Sequence, residues 1–233
     1  MTLPFVHPFS AIIAGPSQAG KSQWIAKLLT YRNQMIEPAP VKTYFCYSEW
    51  QPLYDSFNNV DFHQGLIDVD SLDNSIPKLL ILDDLMNVLN SKDGQKIADI
   101  FTKHGHHKNL SIFLITQNIF QKGSHNRVCQ LNCHYQILFN NPRDKTQIRF
   151  LSRQMYPAPG QSSFMVQAFE DAVSVKYSPL IVDLKQQTED ILRLRTGVFP
   201  DENTYIYITR QTANQLTPTS RCVKNEQEAE EKR

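Results

Sequence analysis

The sequence predicts an α/β fold with a mostly parallel central sheet flanked by helices, and three observations point there. Strand-sized apolar runs recur along the chain, helix-like stretches alternate with them, and three of the runs close on glycine, paired acids or amides. Strands are expected near 10–14, 41–47, 78–82, 110–116 and 134–139, with a later one at 179–184. Helices are expected near 21–32, 50–57, 92–103 and 144–155. Breaks fall at Glu37-Pro38-Ala39-Pro40, around Gly65 and at Tyr156-Pro157-Ala158-Pro159-Gly160.

The first run, Ala11-Ile12-Ile13-Ala14, leads into Gly15-Pro16-Ser17-Gln18-Ala19-Gly20-Lys21-Ser22 and then the helix-like Gln23 to Leu29. Strand, glycine loop and helix in this order form a cradle for the phosphates of ATP or GTP. The glycines let the backbone curl so that its N–H groups point inward, Lys21 reaches the β and γ phosphates, and the Ser22 hydroxyl can hold Mg²⁺. Pro16 has no N–H, so the cradle is built from the amides of Ser17 to Ser22 and the positive end of the helix. The bland alternative is a glycine turn before a surface helix.

The second run, Lys78-Leu79-Leu80-Ile81-Leu82, ends in Asp83-Asp84. This is the pattern of a strand buried on both faces whose C-terminal end meets a ligand. In a nucleotide site Asp83 would hold Mg²⁺ or its water, and Asp84 would orient the water that attacks the γ-phosphate. Capping of the next helix by the two acids is the structural alternative. The third run, Leu110 to Ile115, closes on Thr116-Gln117-Asn118. If it neighbours the second, Gln117 and Asn118 sit beside the acids, where an amide can touch the γ-phosphate or the attacking water. Alone, such an ending is more often a plain turn.

At 233 residues and 41% hydrophobic, the chain is the size of one ordinary α/β domain. We expect this domain over 1–200 and an extension over 201–233. From about residue 216 the extension is polar, either disordered or a lone polar helix. The apolar runs are too short to span a bilayer and no leader is evident, so a soluble, intracellular protein is expected. Cys46, Cys129, Cys133 and Cys222 are scattered and read as reduced thiols. His104-Gly105-His106-His107 has two readings: polar residues in the turn before the Leu110 strand, or a metal or phosphate contact.

A net charge of +1 confines any DNA contact to a local patch. Arg143, Lys145, Arg149 and Arg153 offer one, the last three spaced by four residues and aligned on one helical face. That face is simply solvated, supplies an arginine to a neighbouring subunit's nucleotide, or contacts a polyanion.

The order Gly15–Ser22, Ile81-Leu82-Asp83-Asp84, Thr116-Gln117-Asn118 and then Tyr135 to Asp144 resembles the genome-packaging ATPases of eukaryotic DNA viruses and virus-like transposons. These are the viral, poxvirus-type branch of the FtsK/HerA superfamily, and the packaging ATPases of adintoviruses, polintons and virophages look nearest. Tyr47-Ser48-Glu49-Trp50-Gln51-Pro52-Leu53-Tyr54, Leu82 to Met86, Phe101-Thr102-Lys103, Arg153 to Pro157 and Arg193 to Thr196 share the likeness, which covers roughly residues 8–200.

The resemblance implies a P-loop NTPase fold of the RecA/ASCE type and Mg²⁺-dependent ATP hydrolysis at the boundaries of a ring. The ring would hold roughly five or six identical subunits around double-stranded DNA. It further implies pumping of a viral genome into a preformed capsid, with capsid or portal-vertex proteins as partners, in the host nucleus or a viral factory. By motif match, Lys21 and Ser22 bind triphosphate and Mg²⁺, Asp83 serves the metal, Asp84 polarises water and Gln117 senses the γ-phosphate. Cellular relatives usually carry Glu where Asp84 stands, so the shorter side chain leaves the water's placement open. Arg143, just past a strand, is favoured narrowly over Arg127, before it, as the arginine acting on a neighbour. A replicative helicase, a small-molecule kinase and a non-hydrolysing ATP-binding scaffold are the rival readings.

Overall fold

A computed structural model of the chain describes residues 3–85, 94–104, 107–120, 123–158 and 161–216. Met86, Gly105, His106, Pro159, Gly160, Cys222 and the tail Lys224–Arg233, all invoked above, lie outside the described residues, as does the side chain of His104.

In chain order the elements are β1 (Phe5–Val6), β2 (Ser10–Ala14), α1 (Lys21–Met35), β3 (Ile36–Glu37), β4 (Lys42–Tyr47), β5 (Asp61–Gln64), β6 (Lys78–Asp83) and α2 (Gly94–Asp99). Then come β7 (Leu110–Thr116), α3 (Ser124–Leu131), β8 (Tyr135–Leu138), α4 (Thr146–Met155), α5 (Ser162–Ala172), β9 (Leu180–Asp183), β10 (Leu194–Thr196), β11 (Tyr205–Tyr207) and α6 (Arg210–Leu216).

Nine strands form one sheet in the order β11-β10-β9-β8-β2-β7-β6-β4-β5. From β8 to β5 every pairing is parallel, and β9, β10 and β11 extend the sheet antiparallel. β2 lies in the middle with every residue buried. Its period-2 alternation splits the core: Ile12 and Ala14 face one layer, Ala11 and Ile13 the other. The first layer is filled by Ile97 and Ala98 of α2, Cys129 of α3, Ile148 and Leu151 of α4, and Met165 and Phe169 of α5. The second takes Trp24, Ile25, Leu28 and Leu29 of α1, together with Phe5, Phe9, Tyr54 and Phe199. Helices thus cover both faces, which is why β2, β6 and β7 read as continuous apolar runs.

The six expected strands are present. The expected helix at 50–57 is instead a 3-10 turn, Pro52–Ser56, because Pro52 opens a stretch too short to propagate and Tyr54 anchors it in a cluster of rings. The helix expected at 92–103 is α2 followed by a π-helical turn, Ile100–His104. Cys46, Cys129 and Cys133 are buried free thiols. Among the described residues no helix is long and apolar enough to cross a membrane, and no group of three or more acidic, histidine or cysteine side chains could hold a metal.

Candidate functional site

β2, β6 and β7 all end at the same rim of the sheet. β7 lies between the other two, pairing Ala14 with Thr116 on one side and Leu82 with Leu114 on the other. The glycine loop therefore leaves the sheet two strands from the acid pair, with the Thr116-Gln117-Asn118 turn between them. The neighbour relation required of the third run is met.

The loop is anchored by Gly15, whose N–H donates to the Thr116 carbonyl at 3.2 Å, and by the Phe139 N–H on the Ala14 carbonyl at 2.9 Å. A methyl at Gly15 would lie 2.7 Å from Cβ of Phe139, so only glycine passes there. Gln18 and Gly20 take left-handed backbone, φ 65° and 102°, which turns successive amides inward as an anion nest requires. Gly20 caps α1 through the Trp24 N–H, 2.9 Å from its carbonyl. Ser22, half-buried, sits in the helix's first turn, where the dipole is positive.

Lys21 bends back over the loop, and its Nζ donates to the carbonyls of Gly15 at 2.6 Å and Pro16 at 2.8 Å. Burial holds its ammonium below the usual lysine range, and Asp83 and Asp84 pull it back upward. The paired acids thus lie within electrostatic reach of the lysine. Asp83 is buried at the end of β6, and burial raises its carboxyl above the ordinary range against the lowering effects of Tyr54 and Lys21. Asp84 is exposed and stands at φ 53°, left-handed backbone that is uncommon outside glycine but that aspartate tolerates.

Tyr54 is a site residue that motif reasoning alone does not find. Its buried hydroxyl donates to Asp83 Oδ2 at 2.8 Å. Burial, and the Asp83 charge after it, raise the Tyr54 hydroxyl, so it stays protonated and remains a donor. The half-exposed Trp50 ring stands edge-on to it at 5.5 Å. The only trace of this contact in the sequence is the Tyr47–Tyr54 stretch. Tyr54→Phe keeps the ring packing and leaves a buried carboxylate short of a donor, so it should cost about 1–3 kcal/mol in denaturant unfolding at neutral pH. A stability loss well under 1 kcal/mol would mean the carboxylate finds water instead.

The third turn divides its two amides. Asn118 is spent on local structure: its N–H donates to Thr116 Oγ1 at 3.0 Å and its Oδ1 accepts the Phe120 N–H at 2.8 Å. Asn118 thus uses its side-chain oxygen within the turn, which leaves Gln117 the more accessible of the two amides. Gln117 is exposed and lines a narrow cleft with Gly15, Phe139, Asn141 and Asp144. Arg143 and Arg127 are both exposed, the first in the turn after β8, the second on α3. Lys145, which precedes the first residue of α4, and Arg149 and Arg153 on it are exposed, and Arg149 and Arg153 flank a surface hollow with Phe120 and Phe150.

Ser22 and Asp83 supply a hydroxyl and a carboxylate, hard oxygen donors of the kind Mg²⁺ takes alongside phosphate oxygens and water. Together with the loop amides and the half-buried Lys21 ammonium, the donor set suits a metal-bound triphosphate.

No family model matches the chain, and no curated protein is significantly similar to it. Among solved structures, it is similar to the genome packaging NTPase B204 from Sulfolobus turreted icosahedral virus 2 in complex with ATP-gammaS. The TM-score is 0.53 at 14% identity over 86% of this chain and 97% of that one. It is also similar to EssC (ATPases 2 and 3) from Geobacillus thermodenitrificans, with a TM-score of 0.51 at 11% identity over 86% of this chain and 40% of that one. With the loop, the acid pair and β7 ordered as described, this chain has the fold of the P-loop NTPases.

Proposed function

We propose that the protein is an ATPase that drives double-stranded DNA into a viral capsid, acting as a ring of identical subunits. The observation that carries the reading is the meeting of the Gly15–Ser22 loop, Lys21, Asp83-Asp84 and Gln117 at one rim of the sheet. In it, Lys21 and the loop amides bind the triphosphate, and Ser22 and Asp83 hold Mg²⁺, which would polarise the γ-phosphate. Asp84 orients the attacking water and Gln117 senses the γ-phosphate. Residues 1–200 form the motor domain and 201–233 its extension. The exposed Arg143 is the arginine offered to a neighbour's nucleotide, with Arg127 the alternative.

The fold is shared with a packaging NTPase that binds an ATP analogue, which supports the same activity here. The motif order of this chain supports the FtsK/HerA packaging branch. The Lys145, Arg149 and Arg153 face, bare to solvent beside Phe150, supports contact with DNA phosphates. Capsid or portal-vertex proteins complete the assembly, at the site of virus assembly inside the host cell.

Turnover measured with and without duplex DNA across a salt series tests the reading. Duplex should raise ATP hydrolysis several-fold at low salt, with the stimulation fading steeply as salt rises, and no strand should be displaced. Absence of binding and stimulation at low salt would count against a DNA motor. Strand displacement would move the protein to the helicases.

A further inference from the structure

A cavity of about 660 Å³ opens beside the phosphate loop, on the flank away from the acid pair. Gly20, Gln23, Trp24 and Lys27 of the loop and α1 form one wall. Ile181 of β9 and Thr196 of β10 lie in the opposite wall, beyond β8 in the sheet, whereas β6 with its acids lies on the other side of β2. Its volume is that of a site for a small organic ligand, commonly about 300–1,000 Å³.

Tyr177 stands at the mouth. Its backbone is left-handed, φ 69°, an uncommon conformation for an aromatic residue, and 48% of the residue is exposed. It is held against the loop so closely that a methyl on Gly20 would come within 2.9 Å of its Cβ. The Lys176 ammonium lies over the ring, 4.9 Å from its centroid, so the ring already takes a cation as π partner, and a base would stack on the opposite face or displace the lysine. The Ser178 and Thr196 hydroxyls lie 2.9 Å apart in the lining, which mixes apolar side chains such as Ile181, Val198 and Phe199 with charged ones, Lys27 and Glu202 among them.

Geometry sets which part of a ligand enters. With the terminal phosphate drawn toward Lys21, Asp83 and Asp84, the phosphate chain runs along the loop amides and leaves by Gly20 and Gln23. The nucleoside end then meets the cavity. We propose that this cavity holds the nucleobase, with Tyr177 as the ring on which the base stacks, so that Tyr177 and not the phosphate loop distinguishes a nucleotide from a bare polyphosphate. The proposal rests on the phosphate-loop reading above. Stacking of a base on an aromatic side chain is sequence-tolerant and contributes enough to change affinity by about tenfold or more.

The test is calorimetric titration of the full chain with Mg-ATP and, separately, with magnesium tripolyphosphate. Tyr177→Ala should weaken ATP about tenfold and leave tripolyphosphate unchanged. Tyr177→Leu, which keeps bulk against Gly20 but no ring, should do the same, and Tyr177→Phe should bind like wild type. An ATP affinity unmoved in Tyr177→Ala and Tyr177→Leu overturns the base platform while the phosphate-loop reading stands. So does a loss shared equally by tripolyphosphate, since Tyr177 would then merely prop the loop. Wild-type protein that holds neither ligand overturns the phosphate-loop reading itself, and the platform with it.

Discussion

Lys21→Ala should lower Mg-ATP affinity by about a hundredfold or more and bring turnover to background. The ammonium already sits over the loop, spanning the carbonyls of Gly15 and Pro16 at 2.6 and 2.8 Å, so it is placed before any ligand arrives. A bound phosphate would draw it from these neutral acceptors to charged oxygens. Each charge-assisted hydrogen bond contributes about 1.5–3 kcal/mol, so losing two accounts for the expected factor. The same substitution should leave a cooperative melt. Burial opposes the Lys21 charge, and its removal relieves that cost even as Asp83 and Asp84 lose a counter-charge. Equilibrium dialysis against labelled ATP, beside a thermal melt, separates the two effects. Undiminished binding would mean that the loop amides alone hold the triphosphate and that the lysine has another job.

The parts of this molecule that were legible in the sequence share one property: their signals are local. β2, β6 and β7 are buried on both faces, so each appears as an unbroken apolar run, and each observed strand starts and ends within a residue of its expected place. The cradle is legible because Gly15 and Gly20 are imposed by backbone geometry, one by close approach to Phe139 and the other by positive φ. The basic face of α4 follows from its four-residue spacing.

Other features depend on distant partners. β11 has only three residues, two of them exposed, and exists because β10 pairs with it. β5 is similarly short and half-polar, held by β4. The hydrogen bond from Tyr54 to Asp83 spans 29 residues, and nothing in the character of a tyrosine announces it. Tyr177 gains its meaning only when β9 and β10 fold back beside α1. α5, absent from the helices expected above, does carry a local signal: Met165, Ala168, Phe169 and Ala172 are its buried stripe, spaced three, four and seven residues from the first.

Asp84→Asn should retain Mg-ATP binding and lose turnover by about a thousandfold, within the 10²–10⁴ that a positioned base supplies. The two acids differ in surroundings, and that difference assigns their work. Asp83 is buried, takes the Tyr54 hydroxyl and is fixed in position, which suits a group that holds a metal or its water. Asp84 is exposed at a left-handed turn, so its carboxylate can reach a water without first giving up a buried partner. The amide of asparagine matches the carboxylate in shape but cannot take up a proton, so binding and chemistry should separate. Single-turnover hydrolysis with saturating Mg-ATP, beside direct titration of the same variant, reads both. The shorter reach of aspartate relative to glutamate makes a second substitution informative: Asp84→Glu should keep measurable turnover if the water lies beyond the carboxylate, whereas Asp84→Asn should not. Wild-type turnover in Asp84→Asn would transfer the water-activating role elsewhere, and Gln117, beside Gly15 in the adjoining cleft, would be the next residue to replace.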